Sequence, residues 1–260
     1  MRTWEQLAWP ELANLAGEVG LVPVGATEQH GPHLPTATDT LIATTLCQRV
    51  SERTGAIVLP AIPVAASYGH GTALPGTLSL TPLLLAQVVC QYAEWAAATS
   101  RLTRLLLVNA HYGNSAALGI ATDHIRLHRP DLQIGTVDWW SVDPAVAEAM
   151  AADGEDIHAN CGETSVMLAL APDLVHLDRL AEADDPDRTA GLVFRYTAAS
   201  LSRNGVTGRP SGATAWLGEE LLDRAIAGIS ALVERGRNEE PPLGRATAAN
   251  LSTGEITWTP

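Results

Sequence analysis

Short apolar runs alternate along the chain with longer segments in which apolar residues recur at helical spacing. The short runs have the character of buried strands and cover residues 19–25, 56–65, 104–114 with the turn that ends it, and 132–140. The longer segments predict helices at residues 39–55, 81–100, 115–130, 144–154, 162–172 and 218–236. Because strands that alternate with such helices form parallel sheets, the pattern predicts an α/β fold with a mostly parallel sheet covered on both faces.

Specific residues mark several of these boundaries. Asp39 lies near the start of the first predicted helix, and Gly55 ends that helix. Thr81 followed by Pro82 is typical of a helix N-cap and first helical position. The run 56–65 contains two prolines, so part of it is expected at an edge of the sheet or outside it.

The composition narrows the class of protein. The chain has 260 residues, of which 46% are hydrophobic, and this supports a large buried core. The formal net charge is -13 and no run is rich in Lys or Arg, so a nucleic-acid partner is not expected. No repeat or long linker divides the chain.

Cysteine usage and hydropathy predict a cytoplasmic protein. Cys47, Cys90 and Cys161 form no C-x-x-C pair, and their odd number argues against a disulfide framework. The first 20 residues lack the apolar stretch of a signal peptide. No run reaches the roughly 18 apolar residues that a membrane span requires, so a membrane partner is not expected.

The stretch GATEQHGPHLPTATDT, residues 25–40, concentrates ionisable side chains after the first predicted strand. Glu28 and His30 are two residues apart, so in an extended loop both point the same way and can converge on one ion or on two adjacent ions. Asp39 follows at the helix start, where its carboxylate can turn back and bridge two cations. His33 can serve as a ligand, as a donor to a ligand or as a substrate contact. The alternative is a polar surface loop.

Two further clusters lie later in the chain. His111 directly follows a buried strand, between Asn109 and Asn114, and the alternative is a structural histidine satisfied by those amides. His158 and Glu163 lie in EDIHANCGETS, where the positive end of a helix would keep the carboxylate ionised. Here the alternative is a helix-capping glutamate with a surface histidine.

Together the clusters supply oxygen and nitrogen ligands without a thiolate. Such a set suits Zn²⁺, Mn²⁺ or Fe²⁺. It also suits a two-metal hydrolase, with ions about 3.5–4 Å apart, one bridging carboxylate and a bridging water whose pKa falls toward neutrality.

Five motifs occur in the order that a known family has them. The chain resembles the creatininase family of metal-dependent amidohydrolases in GATEQHGPHLPTATDT, PGTLSL, VNAHYGN, HANCGETS and GVTGRPSGATAWLGEE. The resemblance spans about residues 20–236 and leaves a C-terminal tail at 237–260. It implies one three-layer αβα domain over residues 1–260, a homo-oligomer (a hexamer) and two divalent ions per chain that open C–N bonds.

The resemblance also implies roles for single residues. Glu28 and His111 match ligands of one metal, His30 matches a ligand of the other, and Asp39 matches the bridge between them. His158 matches the catalytic histidine, which hydrogen-bonds the developing oxyanion or protonates the leaving nitrogen.

The chain departs from creatininase at one ligand. Creatininase has a glutamate two residues after the histidine of its Asn-Gly-His motif, but this chain has Gly113 there and Ala110 in place of the motif glycine. Other branches share the glycine and use the glutamate of the H-A-x-x-x-E-T motif. Glu163 is therefore predicted as the remaining ligand and as a catalytic residue beside His158.

The pocket differs from that of many family members as well. The stretch SYGHGTALPGT replaces a longer family motif, while Tyr112 matches creatininase. The resemblance implies that the tryptophan pair at 139–140 supplies the aromatic wall that creatininase places over its substrate, and the alternative for that pair is ordinary core packing. The predicted substrate contacts are Tyr68, His70, Tyr112, His33, Trp139 and Trp140.

The sequence therefore predicts a hydrolase that uses a metal-bridging hydroxide to open a small, cyclic amide such as a creatinine-like ring or lactam. The alternatives are a metallopeptidase or a deformylase of the same family. A catalytically degenerate metal-binding subunit is a further alternative, which the missing ligand at Gly113 would favour.

Overall fold

The computed structural model describes residues 1–242, and in this part of the chain five parallel strands form one sheet. The strands are β1 (Arg2–Thr3), β2 (Val19–Val24), β3 (Ile57–Val58), β4 (Arg104–Asn109) and β5 (Gln133–Asp138). Their order across the sheet is β1-β3-β2-β4-β5, and every neighbouring pair is parallel. The prediction of a mostly parallel sheet is confirmed.

Nine α-helices accompany the sheet in the described residues. They are α1 (Trp9–Leu12), α2 (Thr38–Thr54), α3 (Pro82–Ser100), α4 (Ser115–His128), α5 (Pro144–Met150), α6 (Cys161–Leu170), α7 (Leu180–Ala183), α8 (Ala198–Leu201) and α9 (Ala215–Arg237). Most of the predicted tail, residues 243–260, lies outside the described residues.

Alternate residues of β2 supply two separate cores. Val19 and Leu21 belong to the core shared with α2, α5, α6 and α9, whereas Val22 and Val24 belong to the core shared with α3 and α4. Successive side chains of a strand point to opposite faces, so a central strand that is apolar throughout must be covered on both sides. The helices therefore form layers on both faces of the sheet, as predicted.

The residues predicted to begin and end two of the helices do so in the structure. The Thr81 hydroxyl accepts a hydrogen bond from Leu84 N at the start of α3, a cap of the kind that contributes about 1 kcal/mol. Gly55 ends α2 in the left-handed conformation, with a φ of 75°.

The predicted strand at 56–65 is corrected to Ile57–Val58. It is not at the edge of the sheet, because Arg2–Thr3 forms a further strand outside it that the hydrophobic pattern did not reveal. After β3 the chain leaves the sheet, although Leu59 N donates to Leu21 O and an isolated bridge pairs Val24 with Ile62. No helix in the described part of the chain is long and apolar enough to cross a membrane.

Candidate metal centre

Neighbouring strand ends bring the first two clusters together. β2 and β4 are paired so that Val24 lies opposite Asn109, at the carboxyl end of each strand. The loop after β2 carries Glu28 and His30, and His111 follows β4. In parallel sheets this end is where ligand sites form.

The turn after β4 is fixed by amides that bond to the backbone. Asn109 Oδ1 accepts from His111 N at 3.1 Å, and Asn114 Nδ2 donates to Gly25 O at 2.9 Å. Asn114 Oδ1 also accepts from Ala66 N at 3.0 Å. Because neither amide bonds the ring of His111, the interpretation of His111 as a histidine satisfied by these amides does not describe the structure.

The third cluster comes from the start of α6. Asn160 caps this helix by accepting from Glu163 N at 3.0 Å, and Glu163 Oε2 in turn accepts from Ala159 N at 2.5 Å. His158 lies just before the cap and pairs with Thr207 in an isolated antiparallel β-bridge. This capped helix start places His158 and Glu163 against the loop after β2.

The carboxylate of Asp39 divides its two oxygens between two histidines. Oδ1 lies 3.2 Å from His30 Nε2, and Oδ2 lies 3.6 Å from His111 Nδ1. A carboxylate placed between two ring nitrogens in this way has the arrangement that a bridge between two cations requires.

Three histidine rings each place one nitrogen against a main-chain carbonyl. His30 Nδ1 lies 3.1 Å from Glu28 O, His111 Nε2 lies 3.1 Å from Ala66 O, and His158 Nε2 lies 2.9 Å from Gln29 O. A carbonyl oxygen only accepts, so a neutral ring that bonds it donates from a protonated nitrogen and leaves its other nitrogen free to bind an ion. Histidines that bind a metal are held by such contacts.

The site has acceptors without aligned donors. Glu28 Oε1, Glu28 Oε2 and Asp39 Oδ2 are buried and have no hydrogen-bond partner among the described residues. Three groups of side chains bring ligand atoms within 4.8 Å of one another: Glu28 with Asp39 and His111, His30 with His158 and Glu163, and Glu28 with His70 and His158. Unpaired buried carboxylate oxygens are costly unless a cation compensates them, so these residues fit a divalent ion.

The electrostatics of the site follow from burial and crowding. Burial alone would raise the pKa of Glu28, but its attraction to His111 and His70 holds that pKa well below the usual range. Burial and the neighbouring charge of Glu28 raise the pKa of Asp39 well above its usual value. Burial likewise raises the pKa of Glu163 to about 8.

The histidines shift in opposite directions. Burial lowers the pKa of His158, and its proximity to His30 and His70 lowers it further. For His111, attraction to Glu28 and Asp39 outweighs burial and raises the pKa.

The predicted substrate contacts fall into two groups. Tyr68 and Tyr112 are exposed, and the Tyr112 ring lies 6.3 Å from that of half-buried Trp140. Trp139 is completely buried in the core beside the helices of one layer, so it is not part of a pocket wall. The interpretation of His33 as a pocket residue is corrected too, because its buried ring contacts Thr164 Oγ1 at 2.8 Å.

His70 and Gln29 enter the site in ways that the sequence did not specify. His70 Nε2 lies 3.0 Å from Glu28 Oε1, well inside the cluster rather than at an outer wall. Gln29 was missed, although it separates the two strongest candidates of the motif, and its amide contacts both His70 and His158. Its position in the sequence between Glu28 and His30 could have identified it as a candidate site residue.

Gly113 has no space for a side chain. A Cβ there would lie 2.3 Å from His111 Nε2 and 2.4 Å from Ala66 O. The glutamate that creatininase has at this place therefore does not fit here, which is consistent with Glu163 as the remaining acidic candidate.

Known proteins are similar to this chain over most of its length. The creatininase family model, described as creatinine amidohydrolase, matches residues 5–233. Creatinine amidohydrolase of Pseudomonas putida is 33% identical over 91% of this chain and 96% of its own length. The mycofactocin precursor peptide peptidase of Mycolicibacterium smegmatis is 35% identical over 83% of this chain and 84% of its own.

Solved structures are similar over nearly their whole length. A mutant creatininase of Zn-Zn type has a TM-score of 0.80 and 32% identity, covering 91% of this chain and 98% of that one. A creatininase with Mn has a TM-score of 0.77 and 30% identity, with 91% and 99% covered.

Proposed function

The chain belongs to the creatininase family and is a hydrolase acting on C–N bonds, and from this premise we propose that it is a divalent-metal-dependent amidohydrolase of a small, cyclic amide. A creatinine-like ring or a lactam is the proposed substrate. The observation that carries the proposal is the placement of Asp39 between the free nitrogens of His30 and His111.

Two ions per chain are proposed, held by ligand sets that share one carboxylate. Glu28, Asp39 and His111 would hold one ion. His30 and Glu163, which belong to the group that also contains His158, would hold the other together with Asp39, whose Oδ1 lies 3.2 Å from His30 Nε2. The oxygen and nitrogen donors suit Zn²⁺ or Mn²⁺, the metals named for the similar creatininase structures. When bound, such ions polarise a carbonyl and lower the pKa of water, so that a nucleophile forms near neutral pH.

The proposed acid–base residue is His158. Its Nε2 is held by the Gln29 carbonyl, so Nδ1 is the nitrogen left to exchange a proton. Because burial and neighbouring histidines lower its pKa, the ring is neutral at pH 7 and can accept a proton at Nδ1. It can then give that proton to the leaving nitrogen as the C–N bond breaks.

The exposed aromatic residues beside the cluster are proposed to hold the substrate ring. Tyr112 directly follows His111, and its ring is near Trp140. Tyr68 lies two residues before His70 and is also exposed. Flat aromatic faces suit a small planar amide, since they contribute apolar contact area without excluding its polar edge.

Peptide cleavage is the second candidate. The peptidase relative is as similar to this chain as the creatininase relative, at 35% against 33% identity. Gly113 further separates the chain from creatininase, because no glutamate fits there. The exposed side chains of Tyr68 and Tyr112 could also contact a peptide.

We expect the functional unit to be a homo-oligomer, the hexamer that the family resemblance implies. Four exposed apolar side chains lie within five residues, interrupted by Arg195: Leu192, Val193, Phe194 and Tyr196, with Val193 87% exposed. Such segments are rarely left in water and are typical of contacts between subunits. Light scattering of wild-type protein and of Phe194→Ser should show a loss of assembly in the variant; an unchanged mass would remove this segment from the interface.

The experiment compares substrates and metals in one assay. Full-length protein is stripped with a chelator, reloaded with Zn²⁺ or Mn²⁺, and incubated with creatinine, other lactams, formylated amines and short peptides. Mass spectrometry should show metal-dependent opening of a cyclic amide. Neither stripped protein nor the Glu28→Gln variant should react, whereas the surface variant Glu219→Gln should react normally.

Each other outcome of this assay has a definite meaning. Cleavage of peptides alone would support the second candidate, and release of formate alone would support a deformylase. Full turnover by stripped protein would reject metal dependence. Loaded protein with two ions and no activity on any class would favour the degenerate metal-binding subunit.

A further inference from the structure

The side-chain amide of Gln29 has a fixed orientation. Its Oε1 accepts from Gly31 N at 3.0 Å, and its Nε2 donates to Gly205 O at 3.1 Å. An exchange of oxygen and nitrogen would set a donor against the Gly31 N–H and an acceptor against the Gly205 carbonyl. Because backbone groups cannot change roles, Nε2 is the atom that faces the histidines.

Gly205 makes this close packing feasible. A Cβ at Gly205 would lie 1.9 Å from Gln29 Oε1, and the residue has a φ of 87°, which favours glycine. The amide is therefore enclosed between two backbone segments, and Gln29 is 6% exposed.

The second amide hydrogen of Gln29 goes to His70. One hydrogen is used by Gly205 O, and the remaining neighbours of Nε2 are His158 Nε2 at 2.9 Å and His70 Nδ1 at 3.1 Å. His158 Nε2 lies 2.9 Å from both the Gln29 carbonyl and the Gln29 amide nitrogen, and in the tautomer that donates to the carbonyl it does not accept from the amide. His70 Nδ1 is left as the acceptor, and the proton of the neutral ring lies on Nε2.

His70 therefore differs from the other three histidines of the cluster. They turn a free nitrogen toward the carboxylates, but His70 presents an N–H group. Its Nε2 lies 3.0 Å from Glu28 Oε1, yet that oxygen has no aligned hydrogen-bond partner among the described residues. The N–H therefore lies beside the proposed centre, in close contact with Glu28 Oε1 but not aligned with that oxygen as a hydrogen bond.

We propose that His70 is not an ion ligand but a hydrogen-bond donor to the substrate oxygen that gains negative charge when the amide carbonyl is attacked. Gln29 is the positioning residue that holds His70 in this tautomer. The inference rests on the proposed amidohydrolase function for the identity of that oxygen. His70 is 8% exposed and ends the short helical turn that begins at exposed Tyr68. The competing interpretation is an ion held by Glu28, His70 and His158.

Ring-nitrogen NMR of the full-length protein tests the tautomer without needing a substrate. Histidine-labelled protein is recorded without metal and after addition of Zn²⁺, and the His70 signals are assigned with His70→Gln. His70 should show a protonated Nε2 in both spectra, while His30 and His111 change at their free nitrogens. An unprotonated Nε2, or a zinc-dependent shift at that nitrogen, would overturn the proposal.

Variants test the role through ion counting and kinetics. His70→Leu should keep the wild-type number of ions while kcat falls about 10²- to 10³-fold, as expected when one oxyanion donor is removed. His70→Gln, which retains an N–H donor, should recover part of that loss. His124→Leu removes an imidazole from α4, outside the cluster, and should change neither quantity.

A double-mutant cycle separates Gln29 from a general structural role. Gln29→Met removes the amide donor while keeping a side chain of similar size. As a single variant it should lower kcat, and in the His70→Leu background it should lower kcat no further. Additive losses would show that Gln29 does not act through His70. Loss of one ion in His70→Leu would show that His70 is a ligand. Absence of any ion from wild-type protein would refute the proposed function, and the NMR result would then decide the tautomer independently.

Discussion

Replacing Gly113 with alanine should disable the proposed metal centre by displacing one histidine. The added Cβ would lie 2.3 Å from His111 Nε2 and 2.4 Å from Ala66 O, while ordinary contact begins at 3.4 Å. His111 or the carbonyl must therefore move by about 1 Å, whereas metal–ligand distances hold within about 0.2 Å. The shift also breaks the hydrogen bond that orients His111.

The expected magnitudes follow from these contacts. Overpacking of this kind costs about 1–3 kcal/mol of unfolding free energy. Loss of the contact that orients a ligand lowers metal affinity about 10- to 100-fold. The variant should therefore melt at a lower temperature without metal and bind Zn²⁺ more weakly in competition with a chelator.

Gly119→Ala is the matched control. Gly119 lies in α4 with no atom within 4 Å of an added Cβ, and alanine in a helix is about 1 kcal/mol more favourable than glycine. This variant should be slightly more stable and bind metal normally. A metal affinity and melting temperature equal to those of the wild type in Gly113→Ala would refute the reasoning. Gly113→Glu should fail to restore a creatininase-like ligand for the same steric reason.

Three further predictions concern a ligand, an ion pair and a helix contact. Glu163→Gln keeps a side-chain oxygen that can accept the hydrogen bond from Ala159 N but removes the carboxylate charge, so metal analysis should find one ion fewer per chain. An unchanged number of ions per chain would exclude Glu163 as a ligand. Hydrogen bonds, the strongest from Arg188, lower the pKa of Asp185 to about 2, so its stabilising effect is complete above about pH 4 and is lost as pH falls through about 2. The stability difference between wild type and Asp185→Asn in urea should shrink over that range, and a constant difference would contradict the assignment. Gly218→Ala would place a Cβ 1.9 Å from Ser165 O where α9 crosses α6, so its urea midpoint should fall well below that of the wild type, and an unchanged midpoint would contradict this close crossing.

The fold was predictable where one local signal dominated. β2 is apolar at every position and α3 begins with a threonine and a proline, so their types and limits follow from the chain itself. β1 was not predictable, because its two residues are defined by pairing with β3, and no two-residue pattern specifies a partner.

The candidate site was predictable as a set of residues but not as a set of proton positions. Glu28, His30, Asp39 and His111 stand out by type and by their places after strands. The opposite ring orientations of His70 and His111 arise from Gln29 and from the Ala66 carbonyl, contacts formed only after distant segments pack. For the same reason the burial of Trp139 and His33 could not be read from their neighbours in the chain.

The backbone contacts of the histidines bear on how this site can change by mutation. His30, His111 and His158 bond main-chain carbonyls, which no substitution can delete from the chain. His70 instead depends on a side chain, so a single codon change at Gln29 can reverse its donor and acceptor atoms. The ring orientations of His30, His111 and His158 are therefore insensitive to substitution of the residues that supply those carbonyls, whereas the orientation of His70 can be changed by a single substitution at Gln29.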